Sequence, residues 1–293
     1  MPVPTTEMPP ALEQSMLGRT RLILYAFSSG APELTLSDLV RRTGLPRSSM
    51  HRILGQLVEF QALERTEAGY RLGLSMVELG WLAAQQNRLR HCSLPHLRAL
   101  QEQTGTVAHL AVLDGHEIVY MVKLGRAEGT RAVSRLGGRR AAYCTAEGKA
   151  LLAHAGESAL AGALAEGTPP RTHRTITSPR LLRQELAHIR EHGVSFDREE
   201  CFRGVFGIAV PLRDPEGKAV AAASLTGNPR HMDRKQLVPQ LLSTAGRIAA
   251  DLFLPARRTG KEETAAPSSP ASASWPEGVL DDAVSWPRLN DWM

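Results

Sequence analysis

The spacing of apolar residues divides the chain into two regions of different texture. Up to about residue 93 the apolar positions recur mostly at intervals of three and four, which is typical of amphipathic helices. Further along, helical stretches alternate with strand-like runs at 106–113, 117–123, 207–212 and 219–226. This pattern predicts an α+β protein whose C-terminal domain, residues 94–254, is an antiparallel sheet flanked by helices.

The first region has the element order of a winged helix-turn-helix. The predicted elements are a helix over 12–28 that buries Met16, Ile23 and Phe27, a short strand over 34–36, helices over 38–43 and 46–60, and a hairpin formed by the runs at 62–65 and 70–73. Ser37 is placed at the N-cap of the second helix and Gly44 at its left-handed C-cap. This order favours a DNA-binding domain over residues 12–74. A small α+β module with a polar helix face is the alternative.

The helix over 46–60 has an apolar face and a polar face. The apolar face consists of Met50, Ile53, Leu54, Leu57 and Val58, at the spacing of a core-facing helix. On the opposite face, we expect the major groove to be contacted by Ser48, Ser49, Arg52 and Gln56, with Gly55 allowing close approach. Arg47, in the first turn, and Arg65 or Arg71, in the predicted wing, are expected to contact phosphates or the minor groove.

Arginine is concentrated around this helix. Six arginines and no lysine lie between residues 41 and 71, against three glutamates. Arginine can bind phosphate or guanine through two parallel hydrogen bonds, which lysine cannot do. The charge alone does not decide the function, because the whole chain has a net charge of only +5 and the same cluster fits a solvated surface.

The remaining segments predict a connection and a tail. A helical stretch over 74–90 predicts a linker helix over residues 75–93, and Trp81 lies off its apolar stripe, where it can face a partner. Residues 255–293 are rich in Ser, Ala, Pro and Glu, a composition that predicts a disordered tail. Three of the four tryptophans lie in the last 19 residues, which predicts either a docking segment or an inert appendage.

Composition narrows the classes of function. No apolar run reaches the roughly 18 residues of a membrane span, and the first residues lack the features of a secretory signal. Three widely separated cysteines fit neither a disulfide scaffold nor a zinc site. The sequence therefore predicts a cytoplasmic protein without a cofactor and without a metal.

Four sequence motifs together resemble the IclR family of bacterial transcriptional regulators. They are Met16-Leu17-Gly18-Arg19, the stretch over 36–52, the run YCTAEGKALL over 143–152, and Gly193-x-x-x-Asp197-x-x-Glu200 followed by IAVPLRD over 208–214. Each motif is short, but all four occur in the order and spacing of the family over residues 12–254.

The resemblance implies a winged helix-turn-helix for double-stranded DNA and a GAF-like domain for a small effector. By spacing, it assigns effector contacts to side chains of Asp197, Gly207, Ser224 and Thr226, and to a turn at Ala146, Glu147 and Gly148 whose backbone amides favour an anion. Gly207 stands where relatives often have Cys, which leaves room for a larger ligand.

We therefore expect a homodimer, or a dimer of dimers, in which a small organic acid changes operator binding. One alternative is an enzyme, a hydrolase or transferase, on the same sensor-like fold. The sequence offers no convergent nucleophile, base and orienting group for it. The other alternative is an adaptor that uses the wing domain and the tryptophan-containing tail for protein contacts.

Overall fold

The computed structural model describes residues 15–126 and 134–253, which form two compact units divided between Asn87 and Arg88. The prediction for residues 12–14 and that of a disordered tail over 255–293 lie outside the described residues. The N-terminal unit consists of α1 (Met16–Ala26), α2 (Leu36–Thr43), α3 (Arg47–Glu59), β1 (Leu63–Arg65), β2 (Tyr70–Leu72) and α4 (Leu74–Gln86).

The core of this unit joins its helices to its hairpin. Ile23 and Phe27 are buried, as the spacing predicts, and they pack in one cluster with Leu39, Met50 and other residues of α2, α3, β1 and β2. Met16, which was predicted to be buried, is 37% exposed. That prediction is wrong because the buried face of α1 begins only at Gly18.

Helix α2 begins earlier than the sequence pattern predicts. Thr35, and not Ser37, is its N-cap: the Thr35 hydroxyl accepts a hydrogen bond from the Asp38 amide at 3.1 Å, and the Asp38 carboxylate accepts one from the Thr35 amide at 3.2 Å. This reciprocal capping box satisfies two amides that the predicted cap at Ser37 would leave open. At the other end Gly44 has φ +69°, which confirms the left-handed C-cap.

The strand predicted at 34–36 is reduced to a single bridge. Leu34 pairs with Tyr70 of β2, whereas Leu36 already belongs to α2. The hairpin itself is confirmed, with Leu63 opposite Leu72 and Arg65 opposite Tyr70. The bridge attaches the start of α2 to the wing.

The long helix predicted over 74–90 is two helices. Helix α4 ends at Gln86, Asn87 has extended backbone angles, and α5 begins at Arg88. The prediction of a single helix is wrong because the helical pattern of apolar residues continues across Asn87, although the residues on its two sides belong to different units. In α5 Leu97 and Leu100 are buried in the C-terminal unit, whereas none of the 13 residues of α4, all of them described, is buried.

The C-terminal unit contains a six-stranded sheet and five helices among its described residues. They are α5 (Arg88–Thr104), β3 (Val107–Asp114), β4 (Glu117–Leu124), β5 (Arg139–Ala141), α6 (Ala146–Leu152), α7 (Glu157–Ala165), α8 (Pro179–His192), β6 (Ser195–Arg198), β7 (Phe206–Arg213), β8 (Ala219–Gly227) and α9 (Arg234–Phe253). Short 3₁₀ turns cover Phe27–Ser29 in the first unit and Ala142–Cys144 and Pro229–His231 in the second.

The sheet has the strand order β5-β4-β3-β8-β7-β6, and every neighbouring pair is antiparallel, as predicted. Its two faces carry separate apolar clusters. One face packs against α5 and α9 through residues such as Leu97 and Leu241. The other packs against α6, α7 and α8 through residues such as Leu151, Leu160 and Leu186. The sheet is therefore the middle layer of this unit.

No described helix is both long enough and apolar enough to cross a membrane.

Candidate DNA-binding surface and effector cavity

The residues predicted to read DNA lie on the solvent side of α3. The buried residues of this helix are Met50, Ile53, Leu54 and Leu57, which fixes the orientation of the opposite face. Arg47, Ser48, Arg52, Gly55 and Gln56 are exposed, and Ser49 is half-buried. The face therefore presents hydroxyl, guanidinium and amide groups together, which are the groups that contact base edges.

Two features of α3 leave room for a nucleic acid. A Cβ added at Gly55 meets no atom within 4 Å, so packing within the chain does not require glycine there. The first turn of α3 contains no acidic side chain, and Pro46 at the N-cap offers no side-chain oxygen. The partial positive charge of this helix end is thus left available to a phosphate beside Arg47.

The wing brings Arg71 against a carboxylate. Arg71 Nε and Nη2 donate to Glu64 Oε2 and Oε1 at 2.9 Å and 2.8 Å, across the register of β1 and β2. Both side chains are about half exposed, so solvent screens the pair. Arg65 is exposed on the same hairpin. A phosphate bound at this wing would compete with Glu64 for Arg71.

Besides Arg71, two more of the six arginines have partners within the chain. Arg42 Nη1 donates to the carbonyl of Ala26 at 3.0 Å, which connects α2 to α1. Arg41 pairs with Asp38 on α2. These contacts explain part of the arginine cluster without DNA, and the exposed arginines of α3 and of the wing remain the candidates for it.

In the second unit, four of the predicted effector residues line a small cavity of about 20 Å³ above the sheet. The predicted ones are Glu147, Asp197, Gly207 and Thr226, and the others are His109, Tyr120, Ser134, Thr145, Cys201, Phe202 and Val205. A space of this size holds one or two water molecules. A ligand with a ring therefore needs the lining to move apart.

The strand register explains why distant sequence positions meet in the cavity. Thr226 of β8 lies opposite Gly207 of β7, and Gly207 lies opposite Asp197 of β6. Two residues earlier in β8, Ser224 lies opposite His109 of β3. Because side chains alternate along a strand, these residues share one face of the sheet.

Glu147 enters this face from the first turn of α6. Ser224 Oγ donates to Glu147 Oε1 at 2.5 Å, and His109 Nδ1 lies 3.5 Å from the same hydroxyl. On its other side, His109 Nε2 is 2.8 Å from Ser134 Oγ. Glu147, His109 and Ser224 are all at most 3% exposed, so these groups form a buried polar network beside the cavity.

Burial controls the charge of this network. It raises the pKa of Glu147, an effect that the Ser224 hydrogen bond only partly opposes. Burial also lowers the pKa of His109 to about 3, with a further contribution from Lys123. Both side chains thus favour their neutral forms in a dry environment.

Asp197 is a second buried carboxyl in the lining. Its Oδ1 accepts hydrogen bonds from the amides of Glu200 at 2.7 Å and Cys201 at 3.4 Å, which shapes the turn after β6. Burial, and then the nearby Glu200 carboxyl, raise the pKa of Asp197 well above its ordinary value. In its neutral form a carboxyl can donate a hydrogen bond as well as accept one.

The three residues of the predicted glycine turn have different surroundings. Only Glu147 is among the lining residues. The Gly148 amide donates to the Thr145 hydroxyl, the N-cap of α6, at 3.2 Å, and is therefore engaged within the protein. A Cβ at Gly148 would meet the backbone of Ala142 at 2.2 Å, so glycine is required here by close packing. Ala146 lies beside Gly207, where its Cβ leaves 3.3 Å to an added side-chain carbon.

Sequence reasoning missed most of the polar lining. His109 and Tyr120 face the cavity from β3 and β4, with ring centroids 4.8 Å apart. A histidine in the middle of an otherwise apolar strand was the available signal for His109. Cys201, Phe202 and Val205 belong to the irregular segment between β6 and β7, for which residue patterns predict no direction.

Ser134, His109 and Glu147 stand in the order of a hydrolase triad, yet their geometry suits recognition better than proton transfer. His109 Nδ1 is 3.8 Å from Glu147 Oε1, which is beyond hydrogen-bond length. With a pKa of about 3, the imidazole is also a weak base at neutral pH.

Comparison with known proteins places both units in one family. The family model of the IclR helix-turn-helix domain matches residues 17–67, and that of the bacterial transcriptional regulator IclR C-terminal domain matches residues 82–252. The chain belongs to the IclR family of bacterial transcriptional regulators. The first match begins in α1 and ends in the turn before β2, and the second covers the whole sheet of the C-terminal unit.

Individual IclR-family relatives extend over most of this chain. The HTH-type transcriptional regulator XynR of Escherichia coli (strain K12) is 35% identical over 223 residues, 75% of this chain and 88% of XynR. The HTH-type transcriptional regulator BhcR of Paracoccus denitrificans (strain Pd 1222) is 34% identical over 220 residues, 74% of this chain and 77% of BhcR. The IclR-type regulator described here is thus a DNA-binding transcriptional regulator with an α+β fold.

A solved IclR homologue from Microbacterium hydrocarbonoxydans, complexed with 4-hydroxybenzoate, is similar in structure. It has a TM-score of 0.74 and 32% sequence identity, and the match covers 81% of this chain and 99% of the homologue. The fold class, and the assignment of the family from the four motifs, are confirmed by these matches.

Proposed function

We propose that this regulator binds operator DNA through the exposed face of α3 and the wing, and that a small organic acid in the cavity changes this binding. The observation that carries the effector part is the convergence of Glu147, Asp197 and Thr226 around one buried cavity. The residues that we propose to contact DNA are Arg47, Ser48, Ser49, Arg52, Gln56, Arg65 and Arg71.

Two buried carboxyls in the lining limit how an organic acid binds. Ionised Glu147 and Asp197 would repel a ligand carboxylate, whereas their neutral forms can donate O–H groups to it. The raised pKa of each, caused by burial, favours the neutral forms. The hydroxyls of Thr226 and Tyr120 add further donors. The acid therefore binds with the two lining carboxyls protonated.

The small cavity gives the ligand a means of regulation. An effector acts only when its affinity differs between the DNA-bound and the free state. A cavity of about 20 Å³ does not hold an organic acid, so binding has to select a state in which the lining is wider. The homologue complexed with 4-hydroxybenzoate makes an aromatic hydroxy acid the first ligand to test.

The exposed apolar side chains of α4 support a homodimer or a dimer of dimers. Leu74, Val77, Leu79, Trp81 and Leu82 are between 52% and 67% exposed, and we call them the α4 surface. A contiguous exposed apolar surface marks an interface. One wing domain also gives a small DNA footprint, which symmetry doubles. As a regulator that binds operator DNA, the protein is assigned to the cytoplasm in this proposal.

The experiment is a DNA-binding titration of the full chain. Fluorescence anisotropy with fragments from the region upstream of its own gene, at several salt concentrations, measures the affinity and the salt slope. The titration is repeated with 4-hydroxybenzoate and with aliphatic hydroxy acids. We expect specific binding that an acid shifts. If the chain binds DNA specifically and no acid changes this binding, the proposed DNA recognition stands and the proposed effector is refuted. Binding without sequence preference would favour the adaptor alternative.

A further inference from the structure

We propose that the last turn of α8 binds a divalent transition-metal ion through His188, Glu191 and His192. Zn²⁺ is the ion that these ligands fit best. These residues occupy positions i, i+3 and i+4 of one helix and therefore share a face. Their nitrogen and oxygen ligand atoms all lie within 4.8 Å of one another. The group lies apart from the effector cavity, since none of the three lines it.

The side chains are already close to a shared-ion geometry. The two imidazole rings are stacked, with centroids 3.9 Å apart and planes inclined by 26°. An ion bound about 2.0–2.2 Å from each ligand brings the ligand atoms within roughly 3.5 Å of one another. Rotation about the side-chain torsions covers the difference without moving the helix.

A second observation fixes the state of one ligand. His192 Nδ1 lies 2.9 Å from the backbone carbonyl of His188, which accepts a hydrogen bond from its N–H. This contact leaves the Nε2 atom of His192 with the lone pair. A histidine that donates one ring N–H to a carbonyl and offers the other nitrogen is the arrangement found at zinc ligands.

The helix supplies rigidity and a favourable field. On its other face Leu182, Leu186 and Ile189 are fully buried in the core, so the backbone that carries the ligands is fixed. The site lies at the C-terminal end, just before Gly193, where the helix dipole favours a cation. The neighbouring Arg190 directs Nη1 away from the site, to the carbonyl of Ala153 at 3.3 Å.

The ligand types select the metal. Two imidazole nitrogens and one carboxylate oxygen suit Zn²⁺, with the remaining position filled by water. Mg²⁺ and Ca²⁺ prefer oxygen ligands and are not expected to bind here. Because Glu191 is exposed and both histidines are half-buried, an ion reaches the site from solvent.

The test is calorimetric titration of the untagged full chain with Zn²⁺, with Co²⁺ absorption as a report of coordination geometry. We expect one Zn²⁺ per chain, visible absorption of Co²⁺ typical of four ligands, and no heat from Mg²⁺. The variants His188→Gln and His192→Gln should each abolish the stoichiometric binding, and Glu191→Gln should weaken it. His231→Gln, a substitution of an exposed histidine elsewhere in the unit, is the matched control and should bind as the wild type does.

Circular dichroism of the variants separates loss of ligands from loss of fold, because unfolding lowers the helical signal whereas loss of a metal ligand alone does not. Retention of one tight site in the double variant His188→Gln/His192→Gln would overturn the proposal, as would the absence of stoichiometric binding by the wild type. These outcomes are independent of DNA and effector binding, which are measured separately.

Discussion

Ser224 of β8 donates a 2.5 Å hydrogen bond to Glu147 of α6, and this contact connects the sheet to the first turn of the helix above it. Both side chains are buried, and His109 Nδ1 lies 3.5 Å from the same serine hydroxyl. The sequence motif implies that the turn at Ala146, Glu147 and Gly148 binds a ligand through its backbone amides. In the structure, the side chain of Glu147 makes a contact within the protein at this turn. The protonation of Glu147 therefore affects both this contact and the cavity that Glu147 lines.

The first prediction concerns Glu147→Gln and the pH dependence of stability. Burial raises the pKa of Glu147 in the folded chain, so the folded state holds this proton more tightly than the unfolded state does. The contribution to stability is complete below the unfolded pKa and is lost as pH rises through the folded pKa. Gln stays neutral, so the variant should gain stability relative to the wild type as pH rises.

Urea unfolding between pH 4 and 8 measures this difference. Glu166→Gln, at an exposed position directly after α7, is the control and should follow the wild type. A constant difference between Glu147→Gln and the wild type over this range would contradict the assignment. For the effector, an acid should bind the wild type more weakly as pH rises and bind Glu147→Gln with less dependence on pH.

His109 predicts the opposite pH dependence. Its pKa of about 3 in the folded chain lies below the ordinary value of about 6.5, because burial disfavours the charged ring. Stability from this residue is present above pH 6.5 and is lost as pH falls towards 3, by up to roughly 1.4 kcal/mol for each pH unit. His109→Gln should lack this loss. Equal acid sensitivity of the variant and the wild type, measured in urea between pH 5 and 7, would show that His109 does not cause it.

The sequence predicted the larger elements well because their patterns repeat. The apolar stripe of α3, the glycine that ends α2 and the long strands β7 and β8 are all present. The short strand β6 and helix α7 were missed, since β6 has only four residues and carries no sustained alternation. The break at Asn87 was missed because the helical pattern continues across it.

The site was predictable only where register and motif agree. Asp197, Gly207 and Thr226 were assigned by resemblance to a known motif, and the antiparallel register sets them side by side. His109 reaches the cavity through its pairing with Ser224, a contact between residues 115 positions apart that no local pattern contains. Sequence periodicity identifies a face, whereas the partner strand decides what that face meets.

A second buried network, formed by Lys149, Glu185 and Glu200, predicts a large loss of stability when its lysine is replaced. Lys149 is 0% exposed, and its Nζ donates to Glu185 at 2.9 Å and to Glu200 at 2.5 Å. Lys149→Met leaves Glu200 in the core without its ion-pair partner, whereas Glu185 still pairs with Arg198 at 3.3 Å. The uncompensated buried carboxyl should cost about 3–5 kcal/mol. Lys218→Met, at an exposed lysine, is the control and should change stability by less than about 0.5 kcal/mol. A partial recovery is expected in Lys149→Met/Glu200→Gln, and a loss under about 1 kcal/mol in the single variant would refute this role.

DNA recognition predicts different results for α3 and for the wing. Arg52→Ala should cost roughly 1–3 kcal/mol of binding free energy and relax base preference, because an exposed guanidinium of α3 is lost. Arg71→Ala should weaken binding to all sequences about equally and reduce the salt slope by about one. Glu64→Ala frees Arg71 from its carboxylate and should not weaken binding.

Anisotropy titrations against an operator and a scrambled fragment distinguish these results. Arg180→Ala, an exposed arginine of the C-terminal unit, controls for net charge. The docking of α3 would be wrong if Arg52→Ala bound both fragments as the wild type does.

The α4 surface predicts how the chain assembles. Trp81 is 59% exposed and no residue of α4 is buried, so Trp81→Glu removes no core contact of the N-terminal unit and should leave its stability unchanged. In an interface between copies, the same substitution places a charge against apolar side chains.

We expect sedimentation at micromolar concentration to show dimers or tetramers for the wild type and smaller species for Trp81→Glu. Operator affinity should fall with them, because half-sites about one helical turn apart need two wing domains. Gln103→Glu introduces the same charge at an exposed polar position of α5, outside the α4 surface, and should assemble normally. A wild-type chain that sediments as a monomer, or a Trp81→Glu chain that assembles like Gln103→Glu, would exclude the α4 surface as the interface.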